Sequence, residues 1–153
     1  MMPDFARALH VGLTVRDMYR SADWYMRVLG FQFVKEFKGS PEDSGSPRIL
    51  LFHPGSRFLV GLVTHRQRSG DTFSPFRTGL DHLAFEVALE PELEAWIQHF
   101  DALEVAHSPI RDLGHSAFVS IEDPDGIQFE IWFTRVPHKP GATTPISGRS
   151  NAG

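Results

Sequence analysis

The chain has 153 residues, of which 41% are hydrophobic, and its 15 basic and 19 acidic residues give a net charge of −4. This composition is typical of a soluble globular protein with one domain, or with two small halves that share a core. No cluster of Lys and Arg is long enough to follow a phosphate backbone, so nucleic acid is not an expected partner. The chain has no cysteine, so any bound metal must be held by nitrogen and oxygen ligands.

The composition of the two terminal segments gives further expectations. The N-terminus lacks the basic and apolar segments of a signal peptide, and no apolar run approaches the ~20 residues of a membrane span. We therefore expect a cytoplasmic protein with no membrane partner. Residues 137–153 are rich in Pro, Gly, Ser and Thr, which predicts a disordered tail after a single domain at 1–136.

An internal repeat divides the domain into two modules. LHVGLTV at 9–15 and DHLAFEV at 81–87 align without a gap at an offset of 72 residues, and the alignment places His10 on His82. A polar stretch with two glycines and a proline, residues 64–79, is predicted to be a linker or long loop between the modules. Each module therefore begins with the same kind of strand.

An amphipathic helix is predicted to follow each of these strands. Asp17 is a good N-cap for a helix that runs to about Leu29, and the second helix is predicted to start at Glu90 and Pro91, with proline in the first turn. Apolar residues recur at helical spacing in the second segment.

Three more strands are predicted after each helix, because short β-patterned runs alternate there with turn residues. They lie at 31–37, 48–52 and 57–63 in the first module, about 7–65, and at 103–107, 115–121 and 127–133 in the second, about 80–136. The predicted fold is α+β, with tandem βαβββ modules and eight strands. A half of ~60 residues would be marginal alone, so the modules should share a core.

Strand periodicity places three metal-competent side chains on faces that point away from the helices. His10 and Glu130 each lie between apolar neighbours of their own strand, and His82 alternates with the apolar residues that follow it, Leu83, Phe85 and Val87. A single histidine in a strand is most often a packed residue. Two histidines at equivalent positions of a repeat, together with a carboxylate that needs a partner if buried, favour a divalent metal site instead.

Three motifs together indicate a family: LHVGLTVRDMYRSADWYMRVLGFQFV, LDHLAFEV and DPDGIQFEIW. Over residues 7–135 the chain resembles the vicinal oxygen chelate superfamily, which includes glyoxalase I, extradiol dioxygenases, fosfomycin-resistance enzymes, methylmalonyl-CoA epimerase and bleomycin-binding proteins. The resemblance implies sheets that curl around a metal-binding cavity, and a homodimer in which both subunits build each site. It also implies that His10, His82 and Glu130 bind a divalent metal, which is Fe(II), Mn(II), Ni(II), Co(II) or Zn(II).

Two glycines depart from the pattern of particular members. Gly61 is the nearest counterpart of a fourth ligand in glyoxalase I-like enzymes, and Gly12 stands where the fosfomycin enzymes have a threonine. The resemblance therefore disfavours glyoxalase I itself, the epimerase and fosfomycin modification. The two-histidine, one-glutamate set of the extradiol dioxygenases fits, although many of those enzymes are twice as long.

Further residues are candidates for catalysis or substrate binding. Glu130 is a candidate catalytic group as well as a ligand, and His65 is a candidate base if the preceding strand extends to it. Arg111 lies within the loop SPIRDLG and His115 directly follows it; Arg111 would hold an anionic group, and Trp132 would form a wall of the cavity. Each of the last four has a plainer alternative as a loop or packing residue.

Two functions stay open on this evidence. The first is a metal-dependent enzyme of the glyoxalase or dioxygenase-like type, which chelates a small substrate through adjacent oxygens; lyase, isomerase and oxygenase chemistry are all compatible with it. The alternative is a metal-independent small-molecule binding or resistance protein of the bleomycin-binding type. Two histidines and a glutamate kept together favour the enzyme, because sequestration needs none of them.

Overall fold

The chain folds into the two predicted βαβββ modules, seen in a computed structural model that describes residues 3–39, 45–67 and 70–135. The first module consists of β1 (His10–Thr14), α1 (Met18–Leu29), β2 (Gln32–Phe37), β3 (Arg48–His53) and β4 (Phe58–Val63). The second consists of β5 (His82–Glu86), α2 (Pro91–Ala102), β6 (Arg111–Asp112), β7 (Ser116–Glu122) and β8 (Gln128–Thr134).

Each module forms one four-stranded sheet, in the orders β1-β4-β3-β2 and β5-β8-β7-β6. The first strand of each module pairs in parallel with the last, which places His10 opposite Leu59 and His82 opposite Gln128. The other strand pairs are antiparallel. The sheets do not close into a barrel, so each has an open face, defined here as the face that points away from the helices.

Local capping explains where the first helix begins and ends. The Asp17 carboxylate accepts hydrogen bonds from the backbone N–H groups of Tyr19 and Arg20 at 3.0 and 3.1 Å, which satisfies two otherwise unpaired donors. Gly30 ends the helix in the left-handed conformation, with φ of 72°, where a side chain would be strained. The second helix has proline in its first turn, as predicted.

The two modules share one hydrophobic core between their helices and sheets. Tyr25 of α1 lies edge-on to Phe129 of β8, with ring centroids 5.4 Å apart, and its hydroxyl donates to Asp123 at 2.9 Å. From the second module to the first, His99 of α2 donates to the backbone carbonyl of Val28 at 3.0 Å. The predicted shared core is therefore confirmed.

One predicted strand is wrong. Residues 103–107 form a turn after α2, with Glu104 at φ of 54°, and only His107 makes an isolated bridge, to Ile121. The short strand of this module is β6, which starts at Arg111. Apolar residues alternate at 103–107 because they pack on the core as the chain leaves the helix, and this produces the same pattern as a short strand.

The remaining strand predictions agree with the structure to within one residue at either end. The described residues of the 64–79 segment contain no helix or strand. The predicted tail, 137–153, lies outside the described residues. None of the described helices is long and apolar enough to cross a membrane.

Candidate metal centre

Two of the three predicted ligands meet on the open face of the second sheet. His82 starts β5, and the parallel register with β8 places Ala84 opposite Glu130. Nε2 of His82 lies 3.5 Å from Oε2 of Glu130, and the two side chains are 41% and 13% exposed. The alternation of strand faces thus brings an imidazole and a carboxylate together, as the sequence predicts.

Asp81 orients the imidazole of His82. The Asp81 Oδ1 lies 2.6 Å from His82 Nδ1, and an ionised carboxylate only accepts hydrogen bonds, so Nδ1 carries the proton. In the neutral ring the lone pair of Nε2 then points toward Glu130. In metal sites, a carboxylate commonly accepts a hydrogen bond from the second ring nitrogen of a histidine ligand and so fixes its tautomer and orientation. Sequence reasoning missed Asp81, although its position directly before His82 was a usable signal.

The Glu130 carboxylate is the polar group in this site that most clearly lacks a partner. Its Oε2 is buried and has no hydrogen-bond partner among the described residues. Burial raises the pKa of Glu130, while the nearby charges of His82 and Arg111 act in the opposite direction. A buried carboxylate oxygen that faces an imidazole lone pair is satisfied by a cation between them. This donor set suits a divalent metal that accepts nitrogen and oxygen ligands.

His10 is the predicted ligand that a single chain does not bring to this site. It lies exposed on β1, in the other sheet. Within residues 3–39, 45–67 and 70–135, no three His, Asp or Glu side chains of one chain gather closely enough to hold a metal ion. One chain therefore supplies two neighbouring ligands in one sheet and the third on the open face of the other.

Gly61 lies where the sequence places it, on the open face of the first sheet. It is paired with Gly12 of β1, and its neighbours Val60 and Leu62 are fully buried on the opposite face. A Cβ atom at Gly61 would meet only the carbonyl oxygen of Val11, at 3.8 Å, which is an ordinary contact. The strand offers room for a fourth ligand but no side chain to act as one.

An aromatic pair forms a wall beside Glu130. Trp132 is two residues further along β8 and stacks on Phe118 of β7, with centroids 4.6 Å apart and planes 11° apart. The guanidinium of Arg111 lies over the Phe118 ring, 5.9 Å from its centroid. Because Ser120 is paired with Glu130, all of these groups belong to one open face. Phe118 was missed from the sequence, although strand parity places it on the same face as Ser120.

His65 lies beyond the end of β4, the strand that would have to extend to it for the predicted role. β4 ends at Val63, and Nδ1 of His65 lies 2.8 Å from the hydroxyl oxygen of the buried Ser46. The condition on which its predicted role depended, an extended strand, is not met. Its role as a base stays a prediction.

His115 lies in the exposed turn that joins β6 to β7. The register pairs Ser116 with Thr134 and Ser120 with Glu130, so His115 is at the other end of β7 from the carboxylate. Its role in substrate binding stays a prediction.

Comparison with known proteins agrees with this fold. The chain is similar to a glyoxylase/bleomycin resistance protein/dioxygenase domain from Frankia sp. EAN1pec, with 27% identity and a TM-score of 0.76 over 86% of this chain and 100% of that one. It shares its fold with lactoylglutathione lyase from Agrobacterium tumefaciens, at 20% identity and a TM-score of 0.66 over 87% and 97% of the two chains.

A third similar structure contains a metal. The fosfomycin resistance protein FosX from Listeria monocytogenes, complexed with Mn(II) and sulfate, is 16% identical with a TM-score of 0.61 over 85% of this chain and 93% of that one. Identities this low show a common fold alone. The family model of the Glyoxalase/Bleomycin resistance protein/Dioxygenase superfamily matches residues 7–131. The chain therefore belongs to the glyoxalase/bleomycin resistance protein/dioxygenase superfamily.

Proposed function

We propose that this protein is a metal-dependent enzyme of the glyoxalase or dioxygenase-like type, which binds a small substrate through two adjacent oxygens on a divalent metal. His10, His82 and Glu130 would hold that metal. The observation that carries the proposal is the buried, unpartnered Oε2 of Glu130, 3.5 Å from Nε2 of His82. Leaving a buried acceptor unpaired costs about 1–3 kcal/mol, a cost that a protein without a metal has no reason to retain.

Each site is shared by two subunits of a homodimer in this proposal, with the third ligand being His10 of the partner subunit. The separation of the two histidines between open faces of different sheets supports this arrangement. So does β2, which is exposed along its whole length and presents Phe33 and Val34 at 55% and 50% exposure. Exposed apolar side chains that cluster in this way are typical of protein contact surfaces.

A bound divalent metal would supply Lewis-acid chemistry, by polarising the two substrate oxygens. The chain's own residues would position the reactants. Asp81 keeps the proton of His82 on Nδ1, so that Nε2 is free to bind. Arg111 presents a positive charge at the rim for an anionic group, and Trp132 offers an apolar surface to the body of the substrate.

Metal analysis tests the proposal. Protein purified without chelator and incubated separately with Fe(II), Mn(II), Ni(II), Co(II) and Zn(II) should retain about one equivalent of at least one metal per chain after desalting. His82→Ala and Glu130→Gln should each reduce this to less than about a tenth, because a site that loses one of three ligands binds far more weakly. Glu94→Gln, a matched charge change on an exposed face of α2, should have no effect.

Failure to retain any of the five metals would contradict the enzyme and favour the metal-independent binding protein. Retention that is unaffected by both ligand variants would place the metal elsewhere.

A further inference from the structure

A cavity lies between the two modules, at the opposite end of β5 from His82. The C-terminal end of α1, the β3–β4 turn and the start of α2 surround it, and its volume is about 280 Å³. This is near the lower end of the range for small-molecule sites. Its walls are mainly apolar and aromatic, and they include Leu29, Phe31, Phe85, Trp96 and Ile131.

His53, the last residue of β3, lines this cavity and carries a hydrogen-bond donor. The backbone N–H of Ser56 donates to His53 Nδ1 at 3.0 Å, so Nδ1 is the acceptor nitrogen and Nε2 carries the proton. Burial lowers the pKa of His53, which keeps the ring neutral at pH 7. Nε2 makes no hydrogen bond to any residue that the structure describes. The sequence had indicated only a turn histidine without a role.

One carboxylate group lines the cavity without a cationic partner. Glu92 lines it and forms no ion pair within the described ranges, whereas the side chain of Glu86 alternates with that of Phe85 and belongs to the open face, beside Trp132. Glu92 uses one oxygen to accept from the N–H of Leu89 at 2.8 Å. Aromatic walls with negative charge at the entrance attract a weakly hydrated organic cation and repel an anion.

We propose that this cavity binds a small alkylated ammonium compound that carries a hydroxyl or carbonyl oxygen. The ammonium group would lie against Phe31, Phe85 and Trp96 near the Glu92 carboxylate, and the oxygen of the compound would accept from the Nε2–H of His53. The proposal does not rest on the metal centre, because its residues are separate from the predicted ligands.

Choline and 3,3-dimethyl-1-butanol are the probes, because they differ mainly in a charged nitrogen and a neutral carbon. In a ¹H–¹⁵N NMR titration, choline should shift the indole signal of Trp96 saturably and leave that of Trp132 unchanged. The neutral isostere should bind at least about tenfold more weakly, since it lacks the cation–π and carboxylate attraction.

Three variants examine the two recognition elements. Glu92→Gln should weaken choline binding about three- to tenfold, while its amide oxygen can still accept from Leu89. The matched control is Glu94→Gln on the same helix, which should leave choline binding unchanged. His53→Phe keeps an aromatic ring at the position but removes the donor, and it should weaken binding about threefold or more.

Equal affinity for the two probes would overturn the proposal. So would the absence of a shift at Trp96 up to about 50 mM choline, because a dissociation constant above that concentration would correspond to negligible binding. Shifts centred on Trp132 would do the same, by placing the probe at the metal centre. The titration is run with and without added metal, so that its result is independent of the proposed enzyme.

Discussion

Asp81 determines which nitrogen of His82 is available to a metal. The 2.6 Å hydrogen bond to Nδ1 fixes both the tautomer and the ring orientation, and the remaining nitrogen points to Glu130. A histidine without such a partner would populate both tautomers and several ring positions, and it would lose part of its binding free energy in becoming ordered.

Asp81→Ala should therefore lower the affinity of the proposed site for its metal about 10–100-fold. Isothermal titration calorimetry with Mn(II) or Zn(II) measures the change. Asp23→Ala, an exposed aspartate of α1, serves as the control and should leave the affinity unchanged. An unaltered affinity in the Asp81 variant would mean that this carboxylate does not support the ligand.

Tyr25 connects the modules through a buried hydrogen bond. It is fully buried, and its hydroxyl donates to Asp123, whose other oxygen accepts from the N–H groups of Asp125 and Ile127. Burial and the charge of Asp123 raise the pKa of Tyr25, so the phenol stays protonated and remains a donor across the physiological range.

Tyr25→Phe should lower the free energy of unfolding by about 1–3 kcal/mol, because it leaves a buried carboxylate oxygen without its donor. Urea denaturation followed by circular dichroism measures this. Tyr19→Phe is a close control, since Tyr19 lies on the same helix and donates to a carboxylate, Glu36, at the exposed surface. Its effect should stay within about 0.5 kcal/mol, and equal effects of the two substitutions would refute the role of burial.

Arg135, directly after β8, connects that strand to two other elements. Its guanidinium donates to Asp112 of β6 at 2.6 Å and to Glu90, which precedes α2, at 3.2 Å. These hydrogen bonds are the main reason that the pKa of Glu90 and the pKa of Asp112 are lowered. A carboxyl group whose pKa is lower in the folded state stabilises the fold above its unfolded pKa, and it loses that contribution as the pH falls through the folded value.

Arg135→Gln should reduce the melting temperature at pH 7, and the difference from the native protein should shrink as the pH falls below about 4, the range of unfolded carboxyl groups. Differential scanning fluorimetry across this range gives the comparison. Arg20→Gln, an exposed arginine of α1, should show little difference at any pH. A gap for Arg135→Gln that widens toward acid would have the wrong sign for this network.

The proposed sharing of the metal site between subunits would have a consequence for the whole molecule. His10→Ala and His82→Ala homodimers should both be deficient in metal. When the two variants are mixed and subunits exchange, a heterodimer regains one intact site, with His82 and Glu130 from one subunit and His10 of the partner subunit.

Metal content should therefore rise on mixing, toward about a quarter of the native value for random exchange. Elemental analysis after desalting measures the metal content. A mixture of His82→Ala with Glu130→Gln is the control that cannot recover, since one subunit supplies both His82 and Glu130 to each site and every site therefore lacks one of them. No recovery in the first mixture, once subunit exchange has been demonstrated, would contradict a shared site.

Sequence patterns predicted the structure correctly where they depend on interactions between residues close together in the chain. The N-cap at Asp17, the proline at the start of α2 and the alternation that put His82 and Glu130 on open faces were all predicted, and the structure confirms them. The error at 103–107 arose because apolar alternation over five residues does not distinguish a strand from a segment that packs on the core after a helix. The aromatic stack on Phe118 was missed because it depends on strand pairing.

The sequence by itself determined the two modules, seven of the eight strands, the two helices and the identity of the candidate ligands, because capping, turns and strand alternation act over a few residues. Only the tertiary structure decided which of those ligands meet. His82 and Glu130 are 48 positions apart in the sequence and become neighbours through the parallel pairing of β5 with β8. His10 lies in the other sheet because β1 pairs with β4. Such pairings depend on burying surfaces of distant segments together, which no local pattern specifies.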